Sequence, residues 1–447
     1  MVSRRQFLLA GGASFLGGAA SLGLSTPLLA QNAVNGALLD GRNFGLTPGA
    51  PYDQAEALTT AVNAANSAKQ KLFLPAGSYN VSNVGLPSNT QIIGAGAATK
   101  LVQMSDKPIF TMVGAQHISL ERFDLVGAQD LAANAILYMQ SVRNVNIEEC
   151  GFFASAKHGV LGYDAQVHLN ANRFEQMGSA AIFLNNGLRS QVRGNVIKGC
   201  GNNGILIWRD EPGYDGTIVA QNQIEAIEWR SGGNGQNGNG INVFRSQNVI
   251  VANNIIRDCA FTAVRANGTR NTQIIGNNCK NLGEVAIFSE FGFSGSLISD
   301  NLIDEAATGI SITNYNDGGY LAVCANNIVR NIWEKSPNNP DTIPLGIAAE
   351  ADCSLTGNVV ENVPGAGLLL GWGPFHRNLL ASGNLVRKCK YGIAASAVEG
   401  DGPINITGNS LFECEQPMVG SKWMDIAFND LATESPDHIY VTNNVVN

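Results

Sequence analysis

Three stretches, VRGNVIKGC (residues 192–200), VAQNQIEAI (219–227) and VANNIIRDC (251–259), decide the fold. Each opens on an apolar residue, passes two small or polar ones, reaches an Asn, and then alternates apolar and polar. The same Asn recurs at Asn172, Asn195, Asn222, Asn254, Asn277, Asn301, Asn327, Asn358, Asn384, Asn409 and Asn444, at intervals of 23 to 35 residues. VNIEEC (145–150) and ISLERF (118–123) carry the unit without its Asn. A second unit follows in each repeat: Gly or Ala, then alternating residues, as in GILI (204–207), GINV (240–243), GISI (309–312) and GIAA (392–395). Period-2 runs of three to five residues bounded by Gly, Asn and Asp are short strands. No helical periodicity is visible from Gln91 onward.

A repeat of about two dozen residues holding two or three short strands is one coil of a parallel β-helix. No coil buries its apolar face alone, so the coils must stack. Equivalent residues then form ladders about 4.8 Å apart. The Asn series is expected to be such a ladder, each amide bonding up and down the stack and each Asn taking the left-handed bend of its turn. Cys200, Cys259, Cys389 and Cys414 each follow a ladder Asn by five positions, so they are expected to point inward as small apolar groups. Cys389 and Cys414 fall on adjacent coils and could in principle bond. No Cys-x-x-Cys pair or His at ligand spacing is present, so neither metal nor cofactor is expected.

The N-terminal part differs. Residues 52–68 (YDQAEALTTAVNAANSA) place Ala55, Leu58, Ala61, Val62 and Ala65 on one helical face. A helix over about 53–68 would cap the open end of the stack, as repeat arrays require. After it, FLPAGSYNVSNVGLPSNTQIIGAGAATKL (73–101) resembles the opening of pectate-lyase-like β-helix proteins, including polygalacturonases and phage tailspikes. Together with the Asn repeat and the first residues, almost the whole chain is similar to twin-arginine-translocated β-helix repeat proteins of uncharacterised activity. The resemblance implies an all-β, single-stranded right-handed parallel β-helix of the pectin-lyase-like type with an N-terminal capping helix; it implies no particular reaction. The expected organisation is a signal segment over 1–30, the cap and first coil over 31–90, and the repeats over 91–447.

SRRQFL (residues 3–8), followed by a Gly- and Ala-rich apolar stretch and a cleavage position after Ala30, fits the twin-arginine export pattern. The expected location is periplasmic or secreted, with no membrane span in the mature protein. Only 14% of residues are charged, 51 are Gly, and the net charge of −8 becomes −10 once the two arginines of that segment leave. Such acidity argues against a nucleic-acid partner, whose phosphates need Lys and Arg.

Strand alternation also lays out one exposed row. Counting from the Gly or Ala of the second unit, the fourth position gives Tyr163, Asn185, Trp208, Phe244, Asn267, Glu290, Thr313, Glu350, Gly371 and Ser396. The second gives Leu161, Phe183, Leu206, Asn242, Arg265, Phe288, Ser311, Ala348, Leu369 and Ala394. Long insertions at 209–216, 229–239 and 333–344 flank the row, and loops on rigid scaffolds carry binding. Aromatic, amide and charged groups side by side suit sugar rings, so a polysaccharide partner is expected. The candidate platform is Tyr163, Trp208, Asn242, Phe244 and Asn267. The candidate catalytic residues are Glu290, Glu350 and Arg265. Glu290 and Glu350 stand two coils apart, roughly 9.6 Å at the backbone, the upper limit for an inverting glycosidase pair. Arg265 could instead neutralise a uronate for a lyase or epimerase, or simply pair with Glu290 on a solvated face for about 0.2–1 kcal/mol.

The Asn-Thr-Asp, Asp-Asp and Gly-His-Gly motifs of polygalacturonase-like hydrolases are missing, as are a clustered Asp calcium site and the Asp-Pro-His motif of alginate epimerases. His117, His158, His168, His376 and His438 are isolated in sequence and read as structural or surface groups. A non-catalytic envelope or adhesion scaffold is therefore the alternative to a carbohydrate-modifying enzyme.

Overall fold

The computed structural model describes residues 38–447 except Asn234. The signal expected over residues 1–30 lies outside the described residues. The chain winds as a right-handed parallel β-helix of about 14 turns, with very little helix. Its strands stack into three parallel sheets. The first holds the strands that lead into each Asn turn, for example Gln191–Arg193, Ile218–Ala220 and Ile250–Ala252, paired residue by residue. The second holds the strands that follow it, Val196–Cys200, Gln223–Ile227 and Ile255–Cys259. The third holds the Gly/Ala units and carries the candidate row.

The Asn ladder is continuous. From Asn172 to Asn409, each ladder Asn donates both its main-chain N–H and its side-chain Nδ2 to the Oδ1 of the next one, at 2.9–3.1 Å, ending at Asn444. The second amide hydrogen goes to a main-chain oxygen of the preceding coil, as from Asn277 to Val251 at 3.1 Å. Nearly all of these side chains are buried, and this bonding satisfies main-chain groups that water cannot reach.

One expectation is corrected. The ladder Asn is not the left-handed residue. That conformation belongs to its predecessor: Ala171, Gly194, Gln221, Asn253, Gly276, Asp300, Asn326, Gly357, Gly383, Gly408 and Asn443, with φ between 53° and 67°. The bend must precede the Asn so that its side chain turns inward along the stack. Where the Asn is missing, Arg122 and Glu149 still take the bend, and Phe123 and Cys150 stand in its place.

A single apolar core runs from Leu46 to Ile439. Cys200, Cys259 and Cys389 are buried in it, Cys414 is half-buried at its margin, and all eight cysteines are free thiols. Burial pushes the Cys200 thiol up to about 12. The helix spans Ala55–Ala68 and sends Leu58, Ala61, Val62 and Ala65 into the same core, closing the N-terminal end of the stack. It starts two residues later than about 53 because the Asp53 carboxylate accepts the Ala55 N–H at 2.9 Å and also engages Ser82.

Replacing a central rung tests the ladder. Asn277→Ala strands the buried N–H of Asn254 and the carbonyl of Val251, each worth about 1–3 kcal/mol. Asn444→Ala, at the half-buried last rung, should cost clearly less. Denaturant midpoints of the two variants measure the difference.

Candidate functional site

The third sheet is held in strict register across the central coils. Tyr163, Asn185, Trp208, Phe244, Asn267 and Glu290 are successive partners on neighbouring strands. Leu161, Phe183, Leu206, Asn242, Arg265, Phe288, Ser311, Ala348, Leu369 and Ala394 form the parallel row two residues earlier.

At the N-terminal end, this register assembles a run of aromatic rings over five coils. Ring centroids of Tyr138 and Tyr163 lie 6.2 Å apart, Tyr163 and Phe183 6.4 Å, Phe183 and Trp208 5.3 Å, and Trp208 and Phe244 5.6 Å. Tyr163 is 36% exposed, and the other rings are partly covered by their neighbours. Beyond Phe244, a concavity of about 280 Å³ is lined by Trp208, Asn242, Phe244, Arg265 and Asn267, with Gly235 and Gln236 from the 229–239 insertion. Four of the five platform residues therefore share one hollow; Tyr163 stands farther along the aromatic run.

Arg265 and Glu290 do pair, but not on a solvated face, which corrects that expectation. Arg265 is 8% exposed and Glu290 2%. Arg265 Nε donates to Glu290 Oε1 at 2.6 Å and Nη2 to Oε2 at 3.0 Å, a fork on both oxygens. Its Nη1 donates to Glu284 at 3.2 Å, and Phe288 lies under the guanidinium, 4.8 Å from ring to carbon. Asn267 Nδ2 adds a third bond to Glu290 at 3.0 Å. Burial pushes the Glu290 carboxyl up, and Arg265 and Asn267 pull it back. Every hydrogen-bond partner of its oxygens is a donor, yet burial, with the Glu284 charge beside it, keeps the balance above the ordinary value. Glu284 in turn accepts from Thr262 at 3.1 Å and Asn339 at 2.9 Å.

Glu350 occupies the same row position as Glu290 two coils later, in a different setting. Its Oε2 accepts the main-chain N–H of Tyr315 at 2.7 Å, and among the described residues no Lys or Arg pairs with it. It is 9% exposed, and desolvation pushes its carboxyl up to about 7 against the two main-chain donors of Tyr315 and Asn314; the nearby Asp317 charge adds to the rise. Glu350 lines a second hollow of about 280 Å³, together with Glu284, Ser311, Thr313, Trp372 and the 333–344 insertion, including Asp341. The three candidate catalytic residues are thus not brought into one hollow. Arg265 lines the first, Glu350 the second, and Glu290 lies beneath the surface between them.

Farther along, Ala348, Leu369, Ala394 and Val419 point outward yet are buried, because Trp372, Tyr391 and Ile426 cover them. This third hollow, about 210 Å³, shares Leu345, Leu369 and Trp372 with the second and adds Tyr391 and Trp423. His376 and His438 are not isolated in space: their rings stack at 5.0 Å, His376 fully buried and its basicity lowered chiefly by desolvation.

Sequence reasoning missed Glu284, Asp341 and the Tyr315 main chain. Glu284 was accessible by counting backward, since it shares the outward phase of Phe288 and Glu290. The other two come from loops, whose paths carry no period.

Residues 41–281, more than half of the chain, match the family described as rhamnogalacturonase A/epimerase, pectate lyase-like. The chain belongs to this family. No curated protein matches its sequence. Among solved structures it is similar to PfbA, a surface adhesin of Streptococcus pneumoniae (15% identity, 92% of this chain and 99% of that one, TM-score 0.53). It is also similar to the Azotobacter vinelandii mannuronan C-5 epimerase AlgE6 A-module (16%, 91% and 99%, TM-score 0.43). A third is the enzymatically active domain of bacteriophage CBA120 tailspike protein 2 (15%, TM-score 0.48); 67% of this chain aligns, and it spans 48% of that one. At such an identity the likeness to PfbA speaks to the fold alone.

The buried pair yields a direct test. Glu290→Ala leaves Arg265 buried beside only Glu284, and breaking a buried ion pair from one side costs about 3–5 kcal/mol. A melting curve showing no loss of stability would place Glu290 outside the framework.

Proposed function

We propose that this protein is exported and binds a polysaccharide along the outer face of its third sheet, modifying it at Glu350. The observation that carries the reading is Glu350 itself: a buried carboxyl without a cationic partner, its proton affinity raised to about 7, in a hollow on the same face as an aromatic run. A carboxylic acid that keeps its proton near neutrality is what general-acid cleavage of a glycosidic bond requires. Membership of a rhamnogalacturonase/epimerase family supports a carbohydrate substrate.

In this reading Glu350 gives its proton to the bridging oxygen as the bond from the anomeric carbon to that oxygen breaks. Water adds to the anomeric carbon and passes its proton to a carboxylate. Glu290 is held by Arg265, so Asp341, exposed in the same hollow, takes that role. The rings of Tyr163, Trp208 and Phe244 offer flat apolar area to sugar faces, and Asn242 and Asn267 stand beside them for hydroxyl groups. From the Tyr138 coil to the Glu350 coil is eight coil steps, roughly 38 Å, which suits a polymer better than a short oligosaccharide.

Activity on a polysaccharide panel tests the assignment. Glu350→Gln cannot donate the proton and should lower turnover by about 10²–10⁴-fold. The acid form is lost as pH rises through about 7, so the wild-type rate should fall on the alkaline side. Stability gives an independent readout. A carboxyl raised on folding contributes fully below its ordinary value and loses that contribution as pH rises through about 7. Glu350→Gln should therefore melt above the wild type at pH 8 and lose that advantage at pH 5. Turnover unchanged by the substitution would leave the face as a binding surface only.

Export rests on the Arg4-Arg5 pair. Replacing both with Lys should leave the precursor unprocessed inside the cell, as followed by fractionation and immunoblot; normal export of that variant would remove the twin-arginine route.

A further inference from the structure

The charge of the groove goes further than its shape. Besides Glu350, the acid that keeps its proton, the hollow is lined by Glu284 and Asp341, with no Lys or Arg among its lining residues. Arg265 is the sole Lys or Arg lining the neighbouring hollow, and all three of its guanidinium nitrogens are taken by Glu284 and Glu290. One guanidinium shared between two acidic side chains leaves no unpaired cation there for a ligand. Cations do stand beside the aromatic run, where Arg209 donates to the Gly187 carbonyl at 3.2 Å and Arg245, 4.8 Å from the centre of the Phe244 ring, donates to the Asp210 carbonyl at 2.6 Å, so the acidic stretch is the Glu350 hollow. The chain as a whole carries a net charge of −8.

A polyuronate places a carboxylate on every sugar. In the Glu350 hollow those carboxylates would meet Asp341 and Glu284 with no cation lining it to offset them, where the reacting bond must sit, and like-charge juxtaposition rejects a partner. Removing the C5 proton of a uronate also requires its carboxylate to be neutralised, and Arg265 is already committed to two acids. Resting on the carbohydrate reading above, we infer that the polysaccharide accommodated at the centre of this groove is neutral: aromatic rings take its apolar faces, amides donate to and accept from its hydroxyl groups, and carboxylates accept from them.

The test compares matched ligands on full-length mature protein carrying Glu350→Gln, so that binding is read without turnover. A panel of polyuronates is paired with the carboxyl-reduced form of each, which keeps the linkage and removes the charge, and neutral polysaccharides are added. At low ionic strength, neutral or carboxyl-reduced polymers should bind roughly tenfold or more tightly than the charged parents, with the gap narrowing as salt screens the repulsion. Adding Asp341→Lys should narrow it further. A polyuronate that binds as tightly as its reduced counterpart, or more tightly, overturns the inference and leaves the carbohydrate reading standing. Failure of every polymer to bind overturns that reading and this inference with it.

Discussion

The hydrogen-bonded file of asparagines is the constraint on which the rest of the molecule depends. Each inner rung accepts two bonds from the rung before it and gives two to the rung after it. This pattern closes only if every coil presents its turn at the same place, directly over its neighbour. Coil length is free to vary elsewhere, and it does: intervals between rungs run from 23 to 35 residues. The extra residues leave as insertions between strands, while the turn stays fixed. A ladder of identical amides therefore sets the register of sheets whose own side chains differ from coil to coil.

Fixed register converts sequence into surface. Once the turns are aligned, residues at equal distance from the Gly/Ala unit stand in line about 4.8 Å apart, and five aromatic residues scattered over a hundred positions become a continuous run of rings. The same rule explains why two glutamates at one row position differ so much. On the coil before Glu290 stands Arg265, which reaches diagonally and takes both its oxygens. On the coil before Glu350 stand Ser311 and Thr313, neither of them charged, and a main-chain N–H is what its carboxyl meets. Burial is similar in the two places; the neighbour one coil away decides whether the group is held in an ion pair or left without a cationic partner.

Insertions complete what the sheet begins. The 229–239 and 333–344 loops form the walls of the two hollows, and aromatic side chains cover the apolar outward positions of the C-terminal coils. A stacked coil permits this, since the core tolerates any loop that leaves the turns in place.

The sequence by itself determined the fold, the capping helix, the ladder and the register of the outer rows, because all are written as periods that a chain of residues displays directly. It misplaced the left-handed bend by one residue, since a period locates a turn but does not say which of its residues takes the strained backbone angle. The burial of Arg265 with Glu290 and Glu284, the proximity of His376 to His438, and the separation of Glu350 from the other candidates were decided only by tertiary structure. Each depends on contacts between coils or on the path of an irregular loop. A side chain's charge state follows from how far water is excluded and which group faces it across the stack, and neither quantity has a counterpart along the chain.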